Sequence, residues 1–314
     1  MKTVRLLSWV LPISLVMGSA GMAVAQDEDP PAEGGEMAPE GEAPPEGGEA
    51  PVEGDPAATA TEGDPAATEA APSEVAADVE ASATLTKANW PLALVDRPIT
   101  LVKGLLQVRG DINVNLTKEF EGKPFAIAPD IYYGVSDVLN VGLIHGTGLC
   151  LAGKDNGCAK VYNDVGVDAV YALTLKQFQA GVHLGLLVGN FDPVTMIAQV
   201  GVHLQYTIKK INFYFNPKFF IGLNERDAGN KERIDAPAQI DYQLTPKLAA
   251  SLLFGIAGPT EGFADSFSVP IGVQALFGMS TKLDVGGAFV FGNLAGKNNT
   301  ADVRALNIFV NFRM

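Results

Sequence analysis

Long apolar runs, enzyme motifs and clustered basic residues are all missing from most of this sequence. Beyond residue 25, no segment contains the ~18 consecutive apolar residues that a membrane-spanning helix needs. The sequence also contains no phosphate-binding glycine loop, no zinc-protease helix motif and no dinucleotide-binding fingerprint. These absences argue against the common nucleotide-dependent and zinc-dependent enzymes, and we expect no cofactor.

Positive charge is scarce, and the acidic excess belongs to one segment. The formal net charge is −14. Residues 26–86 hold 17 Asp or Glu and no Lys or Arg, whereas residues 88–314 hold 19 acidic and 19 basic residues. The main part of the chain is therefore neutral and lacks the basic footprint of a nucleic-acid-binding protein.

Residues 1–25 have the pattern of a secretory signal peptide. Lys2 and Arg5 precede the apolar core at residues 6–17, and Ala23-Val24-Ala25 forms a small-residue cleavage site. The alternative is a membrane anchor, for which the apolar core is short. We expect the mature chain to be exported.

A period of two dominates residues 196–223, and two is the period of a β-strand. Val200, Val202 and Leu204 share one face, while the residues between them share the other. A two-residue turn at Lys209-Lys210 then brings the apolar face of the next strand to the same side.

The same alternation continues along the rest of residues 90–314 and predicts twelve strands. These lie near residues 104–116, 124–135, 139–148, 159–175, 178–189, 196–208, 211–223, 233–244, 248–257, 266–279, 283–293 and 303–314. Strands of about ten residues with one apolar face and short turns are typical of a transmembrane barrel. The sequence therefore predicts an all-β fold, a closed antiparallel transmembrane β-barrel of about 12 strands.

Five short turns alternate with longer polar connections, and aromatic residues precede four of those turns. Tyr133, Tyr206, Tyr242 and Phe277 each lie on the apolar face two residues before a turn. Such a row at one depth is typical of the aromatic girdle at a membrane interface. A soluble β-sandwich, the alternative fold, has no need of this row.

Residues 26–86 are rich in Pro, Ala, Gly and Glu, and we expect them to form a disordered acidic tail. They have too few large apolar side chains to offset the entropy of ordering. The tail would be a solvating spacer, a tether to a periplasmic partner, or a mobile acidic plug in the barrel.

Charged and histidine side chains on the polar face are predicted to line a pore. They are Lys103, Arg109, Asp111, Asp130, Asp164, Asp168, His183, His203, Lys218, Arg233, Asp235, Asp241 and Arg313. The alternative is a lattice of salt bridges that fills the barrel. The two histidines lack a third ligand and do not predict a metal site. Inward glycines such as Gly181 and Gly286 are expected to leave room for an opening.

Cys150 and Cys158 are the two cysteines of the chain and lie in its longest predicted loop. In an exported protein this even number predicts a structural disulfide. His145, just before that loop, has no obvious nucleophile partner, and we find no serine, histidine and asparagine set of the kind that an outer-membrane hydrolase needs.

The last strand alternates outward to the carboxyl end through Leu306, Ile308, Val310, Phe312 and Met314. This ending resembles the C-terminal signal that the barrel-insertion machinery recognises, although such signals usually end in Phe. Over residues 98–314 the chain resembles outer-membrane porin-like proteins. The resemblance implies a non-enzymatic barrel in the lipid of the cell outer membrane that passes small solutes. The even number of strands puts both ends of the barrel, and so the tail, in the periplasm. The five positive and six negative inward residues nearly cancel, which predicts weak ion selectivity. The alternatives are a non-conducting barrel that anchors an envelope or surface assembly, and a barrel hydrolase.

Overall fold

The computed structural model describes residues 85–118, 125–152, 160–189 and 191–314. The predicted signal peptide and residues 26–84 of the predicted tail lie outside the described residues. Both therefore remain predictions.

The described chain forms one antiparallel sheet of fourteen strand segments. The segments are β1 (Leu106–Asn115), β2 (Phe125–Ser136), β3 (Leu139–Ile144), β4 (Leu149–Ala152), β5 (Asp164–Leu175), β6 (Phe178–Gly189), β7 (Thr195–Ile208), β8 (Ile211–Phe215), β9 (Lys218–Gly222), β10 (Arg233–Thr245), β11 (Leu248–Pro259), β12 (Ile271–Ser280), β13 (Leu283–Asn293) and β14 (Thr300–Arg313). β1 pairs with both β2 and β14, which closes the sheet into a ring.

Two positions in the ring hold two segments each, so the barrel has the predicted twelve strands. β3 and β4 both pair with β2, and β8 and β9 both pair with β7 and β10. The predicted strand at 211–223 breaks at Asn216-Pro217, because proline cannot donate to the ladder. The predicted strand at 139–148 breaks after Ile144, where the backbone turns toward the carboxylate of Asp164.

Two other predicted strands begin later than expected. β5 begins at Asp164 rather than at residue 159, and β12 begins at Ile271 rather than at residue 266. The short helix α1 (Phe263–Ser266) precedes β12. No helix in the described ranges is long and apolar enough to cross a membrane.

The faces of the wall are inverted relative to a soluble protein. Large apolar side chains such as Val202 and Phe215 are exposed on the outside, while Gln199 and Gln205 on β7 are buried inside. The predicted hairpin is confirmed, with Ile208 opposite Ile211. Because side chains alternate along a strand, the apolar outer face and the polar inner face follow from a single register.

Short turns and long loops lie at opposite ends of the barrel. Two residues join β2 to β3, β5 to β6, β7 to β8, β10 to β11 and β12 to β13. We call this the short-turn end, and the other the long-loop end. Both β1 and β14 meet at the short-turn end, where Leu106 and Met314 exchange two backbone hydrogen bonds. The four predicted girdle residues, Tyr133, Tyr206, Tyr242 and Phe277, are all exposed near this end.

Residues 85–105, which we call the N-terminal segment, contact the inner side of the ring at the short-turn end through Leu94, Arg97 and Ile99. Trp90, Leu101, Val102 and Leu105 form one buried cluster, and Leu85 packs against it. A short 3-10 helix (Leu94–Asp96) is the one regular element of the segment. No alternation or helical period in the segment predicts these contacts with the barrel.

Candidate functional site: the barrel interior

The interior of the barrel is lined by charged and polar side chains. Of the thirteen residues predicted to line a pore, twelve are buried or half-buried on the inner side of the wall. Lys103 is the exception, because it does not lie on a strand of the wall. It is exposed in the turn before β1, and its backbone N–H donates to the Asp137 carboxylate at 2.8 Å. The alternation that sets inner and outer faces does not extend beyond the strand to Lys103.

A charged cluster on β1 and β14 is centred on the Asp111 carboxylate, and both of its oxygens accept hydrogen bonds. Arg109 donates to both oxygens of Asp111, at 2.7 and 2.8 Å. Asn307 donates its amide to the same carboxylate at 3.0 Å. The Arg109 guanidinium also lies 4.1 Å from the ring centroid of Phe309. These contacts hold both charges against the wall.

A second ionic cluster joins the N-terminal segment to the wall at the short-turn end. Arg97 donates to both oxygens of Asp284 on β13, at 2.8 and 2.9 Å. Arg313 on β14 donates to the same carboxylate and to Gln107. Asp284 was missed, although the alternation that places Val285 outward would have found it. Arg97 has no strand pattern around it and gave no such signal.

Asp168 and His183 face each other on β5 and β6. His183 Nε2 contacts the Asp168 carboxylate, and Gln199 Nε2 donates to that carboxylate at 3.1 Å. His203 is on the neighbouring β7, with its ring edge-on to Tyr214 at 4.6 Å between centroids. Within the described ranges no group of three or more His, Cys, Asp or Glu could hold a metal ion.

A sector formed by β9 and β10 carries buried polar atoms that other side chains do not satisfy. Lys218 stands opposite Asp235 in the ladder, and Arg233 stacks over Phe220 at 4.4 Å. Lys218 Nζ, Asp235 Oδ2 and Arg233 Nε have no hydrogen-bond partner in the described part of the chain. Buried polar groups of this kind cost free energy unless water or a polar solute pairs with them. We call these three residues the β9–β10 sector.

Two other inward carboxylates, Asp241 and Asp164, are engaged in local hydrogen bonds. Asp241 accepts hydrogen bonds from Asn212, Gln239 and Ser251. Asp164 accepts the backbone N–H groups of residues 146–148, so it fixes the long loop. Its role explains the break between β3 and β4.

The pair formed by Asp130 and His145 lies near the same loop. Asp130 accepts the backbone N–H of His145 at 2.8 Å. His145 Nε2 lies 2.9 Å from the hydroxyl of Tyr162, which stacks on Phe191. The ring of His145 is thus engaged with a tyrosine and not with a serine nucleophile.

The inward glycines do not leave the opening that we expected. A Cβ at Gly185 would meet the side chain of Gln199, and one at Gly286 would meet the ring of Phe309. At Gly181 the space is shared by Ile99 of the N-terminal segment. These glycines make room for larger neighbours.

Cys150 is disulfide-bonded and buried. Cys158, its predicted partner, lies outside the described residues. The pairing of the two stays a prediction.

Two exposed ion pairs tie the loops of the long-loop end. Arg226 donates to Glu232, and this hydrogen bond lowers the pKa of the Glu232 carboxyl. Lys231 donates to Glu261 at 2.7 Å and lowers the pKa of that carboxyl in the same way. Both pairs are solvent-exposed, so they contribute little to stability.

No protein-family model and no curated protein matches the chain. Among solved structures, the chain is similar to a KdgM porin with a TM-score of 0.47 and 7% identity, covering 66% of this chain and 98% of that one. It is similar to a NanC porin with a TM-score of 0.45 and 14% identity, covering 67% and 100%. It is also similar to an outer membrane channel from Pseudomonas putida F1, with a TM-score of 0.43 and 12% identity, covering 69% and 97%.

Proposed function

We propose that this chain is an outer-membrane channel of the porin type that passes small solutes passively. The observation that carries the proposal is the inverted wall, apolar outside and charged inside. A soluble barrel exposes polar side chains to water, whereas a barrel in lipid must turn its apolar face outward. The polar interior then provides the path for solutes.

The charge of the interior supports weak ion selectivity. Arg97, Arg109, Lys218, Arg233 and Arg313 oppose Asp111, Asp130, Asp164, Asp168, Asp235, Asp241 and Asp284. Five positive and seven negative groups nearly cancel, and many are paired with each other. Focusing of one ion sign should therefore be weak.

The β9–β10 sector is the best candidate for the part of the wall that solutes contact. Its ammonium, guanidinium and carboxylate groups each retain an unpaired atom, whereas Asp111 and Asp241 are saturated. A small polar solute that loses hydration water here forms hydrogen bonds with these groups instead, so its desolvation costs little free energy. We assign the solute path to this side of the barrel.

The proposed orientation puts the short-turn end and the predicted acidic tail in the periplasm. Bacterial barrels have short periplasmic turns and longer extracellular loops. The outer face contacts outer-membrane lipid, and the last strand is proposed to engage the insertion machinery. We also propose that the acidic tail binds a partner in the periplasm.

Reversal potentials across planar bilayers test the path. With a KCl gradient, Lys218→Glu should shift the reversal potential toward the equilibrium potential of K⁺, because it replaces a positive charge in the path with a negative one. Lys297→Glu makes the same change in net charge on an exposed loop residue and serves as the matched control. Equal reversal potentials in both variants and the native chain would contradict the assigned path.

A non-conducting structural barrel is the second candidate. It is favoured by the packing of the interior, where Asp111, Asp130 and Asp241 are 0% exposed. Such a barrel would anchor an envelope assembly through its tail or loops. Liposome swelling in small sugars separates the two candidates, since this second candidate predicts no swelling at any solute size.

A further inference from the structure

We infer that residues 89–104 are a plug that closes the short-turn mouth of the barrel, and that the channel opens when this plug leaves. The inference rests on the proposed channel function. It concerns residues that follow the acidic tail and that carry no strand pattern. We call residues 89–104 the plug from here on.

The plug crosses the mouth from wall to wall. Arg97 binds Asp284 on β13, while the backbone N–H of Ile99 donates to Gln179 on β6 at 2.9 Å. In the ring of twelve strand positions, β13 and β6 are six positions apart, which is half of the circumference. Two residues of one chain segment therefore contact opposite walls.

A second pair of contacts crosses the mouth in another direction. The backbone N–H of Leu94 donates to Gln243 on β10 at 2.8 Å. The backbone N–H of Gly104 donates to the carbonyl of Gly134 on β2 at 2.6 Å. β10 and β2 are again six positions apart. The plug thus spans two diameters of the ring, which a segment running along one wall could not do.

The wall is shaped to accept the plug at two glycines. A Cβ at Gly134 would lie 2.2 Å from the carbonyl oxygen of Val102, and a Cβ at Gly278 would lie 2.9 Å from a methyl carbon of Leu92. Both distances are below van der Waals contact. Glycine is therefore required at position 134 while the plug is seated, whereas at position 278 only the end of the flexible Leu92 side chain would have to move.

The plug is tightly held but is not part of the closed ring. Trp90, Leu94 and Arg97 are buried, and Gln205 donates to the carbonyl of Arg97 at 2.9 Å. However, the paired strands of the ring begin at Leu106, and Gly104, which bonds to Gly134 on β2, is the one plug residue that continues their ladder in the described part of the chain. Gly104, with φ at 75°, lies at the junction of plug and wall. This arrangement lets the plug detach while the barrel remains intact.

A disulfide between plug and wall tests the position of the plug. In a background of Cys150→Ser and Cys158→Ser, Leu92→Cys and Gly278→Cys are introduced together. Leu92 Cγ, where a cysteine sulfur would lie, is 3.4 Å from the Cβ that residue 278 would carry, which suits a disulfide. The matched control is Leu92→Cys with Gly278→Ser, which cannot form the bond. Peptide mass spectrometry of the oxidised protein measures the bond.

Single-channel recording of the same proteins in KCl tests the closure. The oxidised pair should be silent, and reductant should raise its open probability to that of the control.

A second comparison uses Gly134→Ala, which displaces the plug backbone, and Gly110→Ala, where a Cβ meets nothing within 4 Å. We expect Gly134→Ala and Arg97→Ala to raise the open probability about tenfold or more, because the added Cβ of Gly134→Ala clashes with the plug backbone and Arg97→Ala removes the ion pair with Asp284. Gly110→Ala should match the native chain. Heat-shifted migration on SDS gels verifies that each variant is folded.

The outcomes separate this inference from the proposed function. Failure of the disulfide to form in a folded barrel overturns the plug. A disulfide that forms without lowering conduction, or equal open probability in all variants, overturns the closure while leaving the channel function standing. If no folded variant shows channel events, including Gly134→Ala and the reduced pair, the channel function is overturned. The proposed closure by the plug is then overturned as well. The disulfide still shows where residues 89–104 lie.

Discussion

Replacing Val202 with arginine tests the outer face of the barrel at mid-depth. Val202 is 40% exposed on β7 and lies opposite Val182 on β6. The six residues from Val202 to the end of β7 at Ile208 rise about 20 Å along the strand. A strand tilt of about 40° reduces this to about 15 Å along the barrel axis. In an apolar band about 25 Å tall, Val202 therefore lies near the bilayer midplane.

An arginine at this depth has apolar neighbours and no carboxylate on its own face. Val200 and Leu204 flank the position on the outer side of β7. The expected cost is about 2–4 kcal/mol, which lowers the folding equilibrium constant by roughly 30- to 1,000-fold. Met279→Arg is the matched control, since Met279 is 50% exposed on the same face but lies one residue from the end of β12. Near the interface the same change should cost only about 0–1 kcal/mol.

The assay is unfolding in urea of protein inserted in lipid vesicles, followed by the folded band on unheated SDS gels. The midpoint for Val202→Arg should fall well below that of Met279→Arg. Equal midpoints for the two variants would refute the argument, because a water-exposed outer face has no depth dependence.

Further predictions concern the ring, the disulfide, the tail and the loops. Unheated protein should migrate differently from boiled protein on SDS gels, because a closed ring leaves no unpaired edge; identical migration would contradict closure. If Cys150 pairs with Cys158, reduction should lower stability by roughly 2–3 kcal/mol, and Cys150→Ser should show no further effect of reductant. Deleting residues 27–83 should leave the barrel folded and inserted, measured by the same gel shift, since every described strand lies after residue 105; loss of insertion would show that the tail is needed for folding. The depressed pKa values of Glu232 and Glu261 mean that their ion pairs persist above the unfolded carboxyl pKa and are lost as pH falls through the folded one. The protection factors for hydrogen exchange at residues 224–231 should therefore fall in acid, and they should fall less in Glu232→Gln, which lacks the charged pair with Arg226 at any pH.

Alternation alone was enough to predict the wall of the barrel. A one-residue slip would have moved every side chain to the opposite face, so residues such as Arg109 and Asp241 could be assigned to the interior from the sequence. The same rule predicts that Asp284 faces the interior, although Asp284 is not among the thirteen residues assigned to the pore. The rule does not extend to Lys103, which lies before the first residue of β1.

The break after Ile144 and the position of the plug could not be read from the pattern, whereas Pro217 is a sequence signal for the break between β8 and β9. The break after Ile144 depends on Asp164, which captures loop N–H groups from a distant part of the sequence. The plug has apolar residues but neither a period of two nor a helical period. Its place is set by contacts with Gln179, Gln243 and Asp284, which lie 80 to 187 residues away along the chain. Only the closed ring brings those residues together.

Single-channel recording of the purified chain in planar bilayers tests the central claim most directly. The account predicts discrete channel events of small conductance in KCl, with little preference between cations and anions, that are rare in the native chain and frequent in Gly134→Ala. The complete absence of events from both proteins, when each shows the heat-shifted migration of a folded barrel, would contradict the claim that the polar interior conducts.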